Sequence, residues 1–218
     1  MTETAVTEPK KRVDWIGEIK GGLLLILAVL ALHSLVAKPF FIPSGSMLPA
    51  LWVGDRLVVS KWPYGWSYAS ISFNILPPIP GRLFGRLPER GDIVILKPPG
   101  HTTDYIKRVI GLPGDEIAVE GGQVWLNGKR LERRPMPPAL LPRDANPQSG
   151  LDYARFEQRL PDGRIVYALP RYRETLPGGR SYDTIDLGES ATDNYLPIVV
   201  PKGHLFVMGD NRDDSADS

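Results

Sequence analysis

The feature that most constrains this chain is a near-continuous apolar run at residues 21–37, GGLLLILAVLALHSLVA. A helix needs about 20 apolar residues, with a range starting near 17, to span roughly 30 Å of hydrocarbon. With its flanks the run reaches that length, and the ammonium groups of Lys20 and Lys38 can extend to the lipid headgroups. We therefore predict a single transmembrane anchor at residues 21–40. A cleaved secretory signal and a buried core helix are the alternatives, but Leu35 stands where signal cleavage requires a small residue.

Basic residues flank the apolar run unequally. The cluster KKR at residues 10–12 and Lys20 precede it, whereas only Lys38 follows closely. Because cytoplasmic flanks carry the excess of lysine and arginine, we predict that residues 1–20 are cytoplasmic and that the chain after the anchor lies outside. His33, inside the run, is interpreted as a tolerated polar residue.

After the anchor the sequence is typical of a mainly β protein. The chain has 22 Gly and 22 Pro among 218 residues, a content that favours turns and short strands over helices. Gly121-Gly122 and Asn127-Gly128 are predicted hairpin turns, because both central positions can adopt positive φ. The predicted fold is therefore one transmembrane helix followed by a β-rich assembly. Seven short runs are predicted strands: Arg56–Ser60, Asp92–Lys97, Tyr105–Ile110, Glu116–Glu120, Gln123–Leu126, Ile165–Ala168 and Leu205–Met208.

The chain after the anchor divides into three parts. Residues 41–132 and residues 201–218 carry the dense strand and motif signals and are predicted to belong to one β core. Residues 133–200 are polar, proline-rich and irregular, which indicates an insertion or a second small β region. Residues 62–87 are rich in aromatic residues and proline with few charges, so they form either a membrane-surface loop or a loop packed on the β core.

Composition excludes several kinds of function. The formal net charge is +1 and basic residues cluster only near the start, so no nucleic-acid surface is indicated. Cysteine is absent, which excludes a cysteine nucleophile, thiolate metal ligation and disulfides. We expect neither a metal nor a cofactor.

A candidate nucleophile lies just after the anchor, in the sequence PSGSMLP at residues 43–49. Proline restricts φ at both ends of this segment, and Gly45 lets the backbone turn tightly. Such a turn can present a serine hydroxyl and a neighbouring backbone N–H to one point, which suits a nucleophile with an oxyanion hole. By itself, Ser-Gly-Ser is more often an ordinary loop.

A serine nucleophile also needs a base, and two kinds are available. His33 lies in the anchor, while His101 and His204 adjoin glycine in predicted loops; a Ser-His-Asp triad is an alternative that no motif supports. Lys107 lies among apolar residues in YIKRVI, and on a strand it would face the opposite side from Arg108. One of the two could then enter an apolar site, where a neutral amine is favoured. An exposed lysine on an edge strand is the other interpretation.

Four motifs occur in one order behind the apolar run: PSGSMLPAL, RGDIVILK, DYIKRVIGLPGD and GDNRDDSADS. In this arrangement the chain resembles the bacterial type I signal peptidase family, serine proteases with a Ser-Lys dyad. The resemblance implies a membrane-bound serine endopeptidase that cleaves signal peptides from exported precursor proteins after small residues, in an Ala-X-Ala-like pattern. It also implies a place in the bacterial cytoplasmic membrane, with the catalytic domain on the periplasmic side and an apolar surface resting on lipid.

The resemblance also implies roles for five residues. Ser46 is the expected nucleophile and Lys107 the expected general base, while the Ser44 hydroxyl and the Ser46 N–H form the oxyanion hole. Ser215 orients the lysine amine, and Asp217 belongs to the supporting shell. The expected partners are precursor proteins, which the enzyme binds as an extended strand, and membrane lipid. The expected state is a monomer, and no cofactor, metal or nucleic acid is implied.

The end of the sequence departs from the family pattern. In this family we expect an arginine and a further strand after the Asp-Ser at residues 217–218. We therefore expect a C-terminally truncated chain in which Asp217 lacks its arginine partner. Two other functions stay open: another Ser-Lys maturation peptidase, such as a conjugation-pilus processing enzyme, and a truncated, inactive module that binds extended peptides.

Overall fold

The computed structural model divides the chain into two units. The described residues are 14–71, 77, 79, 81–98, 101, 103–143, 153–191 and 193–215. The first unit comprises the described parts of Met1–Pro39 and Val58–Arg86, and the second those of Phe40–Leu57 and Leu87–Ser218. The second unit therefore contains the described parts of all four motifs.

The first unit is built on an apolar helix, α1, at Trp15–Ala31. Asp14 caps its start, since the Asp14 carboxylate accepts a hydrogen bond from the Gly17 N–H at 3.1 Å. The helix continues as a π-helical turn at Leu32–Val36, so that the whole span Trp15–Val36 has 22 residues, and its most apolar stretch of 18 residues has a mean hydropathy of 2.2. By length and composition this helix can cross a membrane.

The helix boundaries differ from the predicted anchor at residues 21–40. The helix begins earlier and ends at Val36, because Ala37 is extended, with φ −155° and ψ 149°. Lys38 precedes Pro39, and the residue before a proline is disfavoured in the helical conformation. The last residues of the predicted anchor therefore form a strand.

The end of the apolar helix is hydrogen-bonded to the start of the aromatic-rich segment. The last carbonyl groups of a helix have no partner within it. Here the Lys61 N–H donates to the Val36 carbonyl at 2.9 Å, and the Trp66 indole N–H donates to the Leu35 carbonyl at 2.8 Å. The segment is thus fastened to the helix end within the first unit.

The same segment keeps large apolar side chains exposed. Trp66 and Leu83 exchange two backbone hydrogen bonds of 3.1 and 2.8 Å. The Trp66 ring meets the Phe84 ring edge to face, with centroids 6.3 Å apart. Phe84 is 78% exposed and Trp62 is 61% exposed. The first unit therefore combines a membrane-length helix with an exposed aromatic surface.

A two-stranded sheet joins β1 (Ala37–Phe41) and β2 (Arg56–Ser60), and the boundary between the units crosses both strands. Ile42 extends the pairing. Its N–H donates to the Asp55 carbonyl at 2.9 Å, and its own carbonyl accepts a backbone hydrogen bond of 2.9 Å. These hydrogen bonds therefore hold the backbone in place immediately before the turn at residues 43–49.

Within the described residues, the rest of the second unit contains three antiparallel sheets. The first consists of β3 (Ile93–Leu96), β4 (Tyr105–Gly111) and β13 (Phe206–Met208), with β4 in the middle. The second follows the order β12 (Tyr195–Val199), β5 (Glu116–Glu120), β6 (Gln123–Leu126) and β7 (Lys129–Arg130). The third places β10 (Ile165–Thr175) between β8 (Glu132–Pro142) and β11 (Ser181–Ile185), and β9 (Glu157–Arg159) also pairs with β10. Short 3₁₀ helices occur at Tyr68–Ser70 in the first unit and at Ala154–Phe156 in the second.

The predicted mainly β fold is confirmed. Both predicted hairpin turns form, with φ of 53° and 71° at Gly121 and Gly122 and the same values at Asn127 and Gly128. Strands β2, β5 and β6 have the predicted boundaries, whereas β10 is longer than predicted.

The region predicted as an insertion or a second small β region, residues 133–200, contributes to two sheets. Strands β8 to β11 form the third sheet almost entirely from this region. Strand β12 instead pairs with β5, with Tyr195 opposite Val119 and Ile198 opposite Ile117. The region is therefore joined to the core through backbone pairing.

Among the described residues of the second unit, buried apolar side chains form two clusters. The smaller cluster fastens the third sheet to the turn at residues 43–49, because Leu48, only 1% exposed, packs with Leu169 and Ile185. The larger cluster lies on the first and second sheets and the β10–β11 hairpin, and its members are Ile110, Ile117, Val119, Val124, Leu126, Leu131, Leu176, Tyr182, Val200, Phe206 and Met208.

Candidate active site

The Ser-Gly-Ser turn lies between buried apolar side chains. Ile42 precedes it and is 3% exposed; Met47 and Leu48 follow it and are 2% and 1% exposed. The Oγ atoms of Ser44 and Ser46 lie 3.4 Å apart. The turn therefore holds two hydroxyl groups together on an anchored backbone.

Lys107 lies in the middle of β4 and is only 3% exposed. Because β4 lies between β3 and β13, with Val94 opposite Lys107, the interpretation as an exposed edge-strand lysine is wrong. The Lys107 Nζ donates a hydrogen bond to the Ser215 Oγ, and it lies 5.9 Å from the centroid of the Tyr105 ring. The lysine amine and the Ser215 hydroxyl thus meet, although 108 positions separate them in the chain.

Ser46 and Ser215 both pack against Gly209. A Cβ built on Gly209 would lie 2.2 Å from the Ser215 Oγ and 2.5 Å from the Ser46 carbonyl oxygen. Side chains do not approach so closely, so this position requires glycine. Through the hydrogen bond of Ser215, Lys107 belongs to the same group of residues as Ser46.

Asn211 fixes the backbone of the Ser-Gly-Ser turn. Its N–H donates to the Ser46 carbonyl at 3.0 Å, and its Nδ2 donates to the Gly45 carbonyl at 3.2 Å and to the Tyr153 hydroxyl at 3.3 Å. Asn211 is fully buried, so these hydrogen bonds form away from water. This role was not predicted from the sequence, where the signal for it is the position of Asn211 inside the last motif.

The structure brings together four of the five residues to which the resemblance assigns roles. Ser44, Ser46, Lys107 and Ser215 form one group through the contacts above. Asp217 lies outside the described residues.

Arg108 faces the opposite side of β4 from Lys107, as strand alternation predicts. Its Nε and Nη2 each donate to Asp210 at 2.7 Å, and its Nη1 donates to the Gly91 carbonyl at 2.7 Å. Burial raises the pKa of Asp210 above its ordinary value, although the hydrogen bonds from Arg108 act in the opposite direction. This buried pair fastens the closing segment, residues 209–215, to the far face of β4.

A second buried polar group comes from the third sheet. Glu174 and Tyr182 lie opposite each other on β10 and β11, and the Tyr182 hydroxyl donates to the Glu174 Oε2 at 2.9 Å. Arg212 donates to the same oxygen through its Nη2 at 2.5 Å. Burial raises the pKa of Tyr182 well above its ordinary value, and the charge of Glu174 adds to this effect. Neither Glu174 nor Tyr182 was predicted from the sequence, because no motif contains them.

The described part of the chain supports neither a metal site nor a histidine base. Within it, no group of three or more His, Cys, Asp or Glu side chains could hold a metal ion. His101 contacts the Tyr105 ring at 5.7 Å, and the His204 Nδ1 lies 3.3 Å from the Lys202 carbonyl. Both histidines are exposed. These contacts give no support to a Ser-His-Asp triad.

A mainly β unit in which a buried lysine is grouped with three serines has the parts of a serine peptidase site. The family model described as "Signal peptidase, peptidase S26" matches residues 15–218. Together these findings place the chain in the class of serine endopeptidases. The chain belongs to the signal peptidase family, peptidase S26.

Three similar proteins are each named Signal peptidase I. The protein of Rickettsia massiliae is 35% identical over 198 residues, which cover 90% of this chain and 69% of the relative. That of Rickettsia typhi is 36% identical over 200 residues, which cover 89% and 69%, and that of Rickettsia bellii is 34% identical over 221 residues, which cover 97% and 69%. These relatives support a peptidase that cleaves signal peptides, and with the apolar helix they fit a single-pass protein of the inner membrane.

Proposed function

We propose that this chain is a membrane-bound signal peptidase in which Ser46 is the nucleophile and Lys107 is the general base. The observation that carries the proposal is the position of Lys107. It is 3% exposed, hydrogen-bonded to Ser215, and grouped with Ser46 around Gly209. Membership of the family supports signal peptides as the substrates.

In the acylation step the Ser46 Oγ attacks the scissile carbonyl carbon, and its proton moves to the unprotonated Nζ of Lys107. The carbonyl oxygen becomes an oxyanion, which the Ser46 N–H and the Ser44 hydroxyl stabilise by hydrogen bonds. The C–N bond then breaks, and Lys107 returns the proton to the leaving amine. The products are an acyl-enzyme on Ser46 and a mature protein with a free N-terminus.

Water completes the reaction by the same route. Lys107 takes a proton from a water molecule whose oxygen attacks the ester carbonyl, and it gives that proton to the Ser46 Oγ as the ester bond breaks. The signal peptide leaves with a free carboxylate. The Ser215 hydroxyl keeps the lysine amine oriented in both steps, and the burial of the amine strengthens this hydrogen bond.

We propose that the precursor binds as an extended strand, with small residues in an Ala-X-Ala-like pattern before the scissile bond. Strand addition needs an open sheet edge beside the reacting groups. Strand β3 supports this mode, because among the described strands it lies at one edge of its sheet and pairs directly with the strand that carries Lys107. Ile93 of β3 is 39% exposed.

We propose that the helix Trp15–Val36 spans the inner membrane, with the N-terminus in the cytoplasm and the site on the periplasmic side. The excess of basic residues before the helix, at residues 10–12 and Lys20, supports this orientation. The exposed aromatic side chains Trp62 and Phe84 belong to the same unit as the helix. Such side chains favour the membrane–water interface, so lipid is the proposed partner of this surface.

The catalytic assignment is tested with the full chain in lipid vesicles and a precursor that carries an Ala-X-Ala site. We expect Ser46→Ala and Lys107→Ala to lower the cleavage rate by about 10³-fold or more. The matched controls, Ser181→Ala and Lys129→Ala, change exposed residues and should cleave like the wild type. Wild-type rates in the two site variants would contradict the assignment.

The orientation is tested by adding protease to the outside of sealed, right-side-out vesicles. We expect the part of the chain after Val36 to be digested and an N-terminal tag to be protected. Digestion of the tag, with protection of the rest, would contradict the proposed orientation.

A further inference from the structure

The third sheet reaches the candidate site through buried side chains that no motif contains. We propose that Glu174, together with Tyr182, is a positioning residue for cleavage that acts through Arg212 on the closing segment 209–215. The inference rests on the proposed function and deepens it. It gives the region outside the motifs a part in placing the reacting groups.

The first link is the contact between Glu174 and Arg212. The Arg212 Nη2 donates to the Glu174 Oε2 at 2.5 Å and lies 3.4 Å from the Tyr182 hydroxyl oxygen. The Tyr182 hydroxyl donates to the same carboxylate oxygen at 2.9 Å. Glu174 is 1% exposed, and Arg212 and Tyr182 are each 7% exposed. Because these groups lie almost out of water, their hydrogen bonds specify one geometry of the guanidinium.

The second link runs from Arg212 to the reacting groups. The Arg212 Nε donates to the Gly209 carbonyl at 3.2 Å. Gly209 in turn lies against both the Ser46 carbonyl and the Ser215 Oγ. Two successive hydrogen bonds therefore connect the Glu174 carboxylate with the residue that touches the nucleophile and the lysine-orienting serine.

The backbone of the third sheet supports the same segment. The Ile185 N–H donates to the Asp210 carbonyl at 2.9 Å, and the Arg212 N–H donates to the Ile185 carbonyl at 2.9 Å. The Leu187 N–H donates to the Asp213 carboxylate at 2.6 Å. The end of β11 thus forms a local parallel pairing with the closing segment, and the side-chain contacts of Glu174 stabilise that pairing.

The charges of the buried groups explain why Glu174 is important. Arg108 and Arg212 carry two positive charges, and Asp210 and Glu174 carry two negative charges, all in buried positions. Neutralising Glu174 leaves one positive charge in excess, which is unfavourable unless the guanidinium moves toward water. If the Arg212 guanidinium moves, its hydrogen bond to the Gly209 carbonyl is lost.

The experiment compares kcat and KM of full-length variants in vesicles, with a peptide substrate that carries an Ala-X-Ala site. Glu174→Gln keeps the size of the side chain and removes its charge, so we expect kcat to fall about 10- to 100-fold through misplacement of the reacting groups. KM should stay within about twofold, because no substrate-binding group changes. Tyr182→Phe removes one hydrogen bond and should lower kcat about two- to fivefold. The matched control is Arg173→Gln on β10, which breaks a surface pair with Asp183 and should change neither constant.

A purely structural effect is separated by two further variants. Val119 is 4% exposed and lies on β5, which pairs with β6 and β12, so Val119→Ala creates a small cavity and lowers Tm; it should leave kcat unchanged well below its Tm. Glu174→Asp restores the charge and should recover part of the kcat lost in Glu174→Gln. The inference is wrong if folded Glu174→Gln keeps the wild-type kcat, or if Val119→Ala at similar Tm loses as much kcat.

The remaining outcomes are also decisive. If Glu174→Gln does not fold, Tyr182→Phe decides the question, and a wild-type kcat in that folded variant contradicts the inference. Cleavage by Ser46→Ala at the wild-type rate would instead refute the proposed function, whatever the Glu174 variants do.

Discussion

Gly209→Ala is the substitution that tests the geometry of the candidate site most directly. The added methyl group would lie 2.2 Å from the Ser215 Oγ and 2.5 Å from the Ser46 carbonyl oxygen. Both distances are about 1 Å or more below van der Waals contact, which is roughly 3.5 Å. One of the two obstacles is backbone, which no side-chain rotation can move. Either the closing segment or the Ser-Gly-Ser turn must therefore shift.

The size of the effect follows from that shift. A displacement of about 1 Å at reacting groups costs roughly 100-fold in rate. A 100-fold loss corresponds to about 2.7 kcal/mol in the activation free energy. Overpacking a filled site also lowers the free energy of unfolding by about 1–3 kcal/mol. We therefore expect a folded Gly209→Ala enzyme with about 1% of the wild-type kcat.

The measurement is kcat with saturating peptide in vesicles, together with the thermal unfolding midpoint. Gly21→Ala in α1 is the matched control, because a Cβ there would meet no atom within 4 Å. It should leave kcat and the unfolding midpoint unchanged. A Gly209→Ala enzyme that keeps kcat within about threefold, with no change in unfolding, would refute the proposed packing around Gly209.

Three further predictions concern single side chains around the site. Ser215→Ala leaves the site lysine without the hydroxyl that it contacts, so kcat should fall about 100-fold with little change in KM in the same peptide assay. Asp210→Asn leaves the Arg108 guanidinium buried without its carboxylate, so the free energy of unfolding should fall by about 3–5 kcal/mol in a urea titration. Burial alone would raise the pKa of Asp115, but the hydrogen bonds from Arg90, a backbone N–H and an amide side chain lower it below 3.8. The stability from this carboxylate is therefore present above the ordinary pKa and is lost as pH falls through the lowered one. The Tm difference between the wild type and Asp115→Asn should be constant near neutral pH and shrink below about pH 4, and a constant difference down to about pH 2 would contradict this.

Strands that are bounded by tight turns could be predicted from their own residues, whereas a strand whose length depends on its pairing partners could not. The turns at Gly121-Gly122 and Asn127-Gly128 need only their own residues to adopt positive φ, so β5 and β6 were predictable. The predicted strand ends at Ala168, whereas β10 runs to Thr175 and includes Pro170, which cannot donate a hydrogen bond to a neighbouring strand. The structure continues the strand past the proline with a shift of register between Leu169 and Arg171. Such a register shift depends on the neighbouring strands, and the sequence of one strand alone does not show which strands pair with it.

For the candidate site too, the sequence predicts which residues take part but not the contacts that bury them. Its four described residues lie in motifs and were predicted, but the burial of Lys107 depends on β3 and β13 and could not be predicted. Glu174 is a charged residue in a strand, and charged residues are mostly exposed. It is buried because Arg212 and Tyr182 supply hydrogen bonds across 38 and 8 positions of the chain. A pairing at such distance appears only when the third sheet and the closing segment are assembled.

Strand β4 explains how two neighbouring cations can both be buried near one site. Lys107 and Arg108 point to opposite faces of the strand. Arg108 is matched by the carboxylate of Asp210, whereas the Lys107 amine contacts the hydroxyl of Ser215. A guanidinium does not give up its proton in a protein, but an amine can, so Lys107 is the residue of the two that can act as a base. Because both partners belong to the closing segment 209–215, a shift of that segment disturbs both faces of β4 together. The contacts of the third sheet with the closing segment therefore help to keep Lys107 and Ser215 in the positions that the proposed chemistry requires.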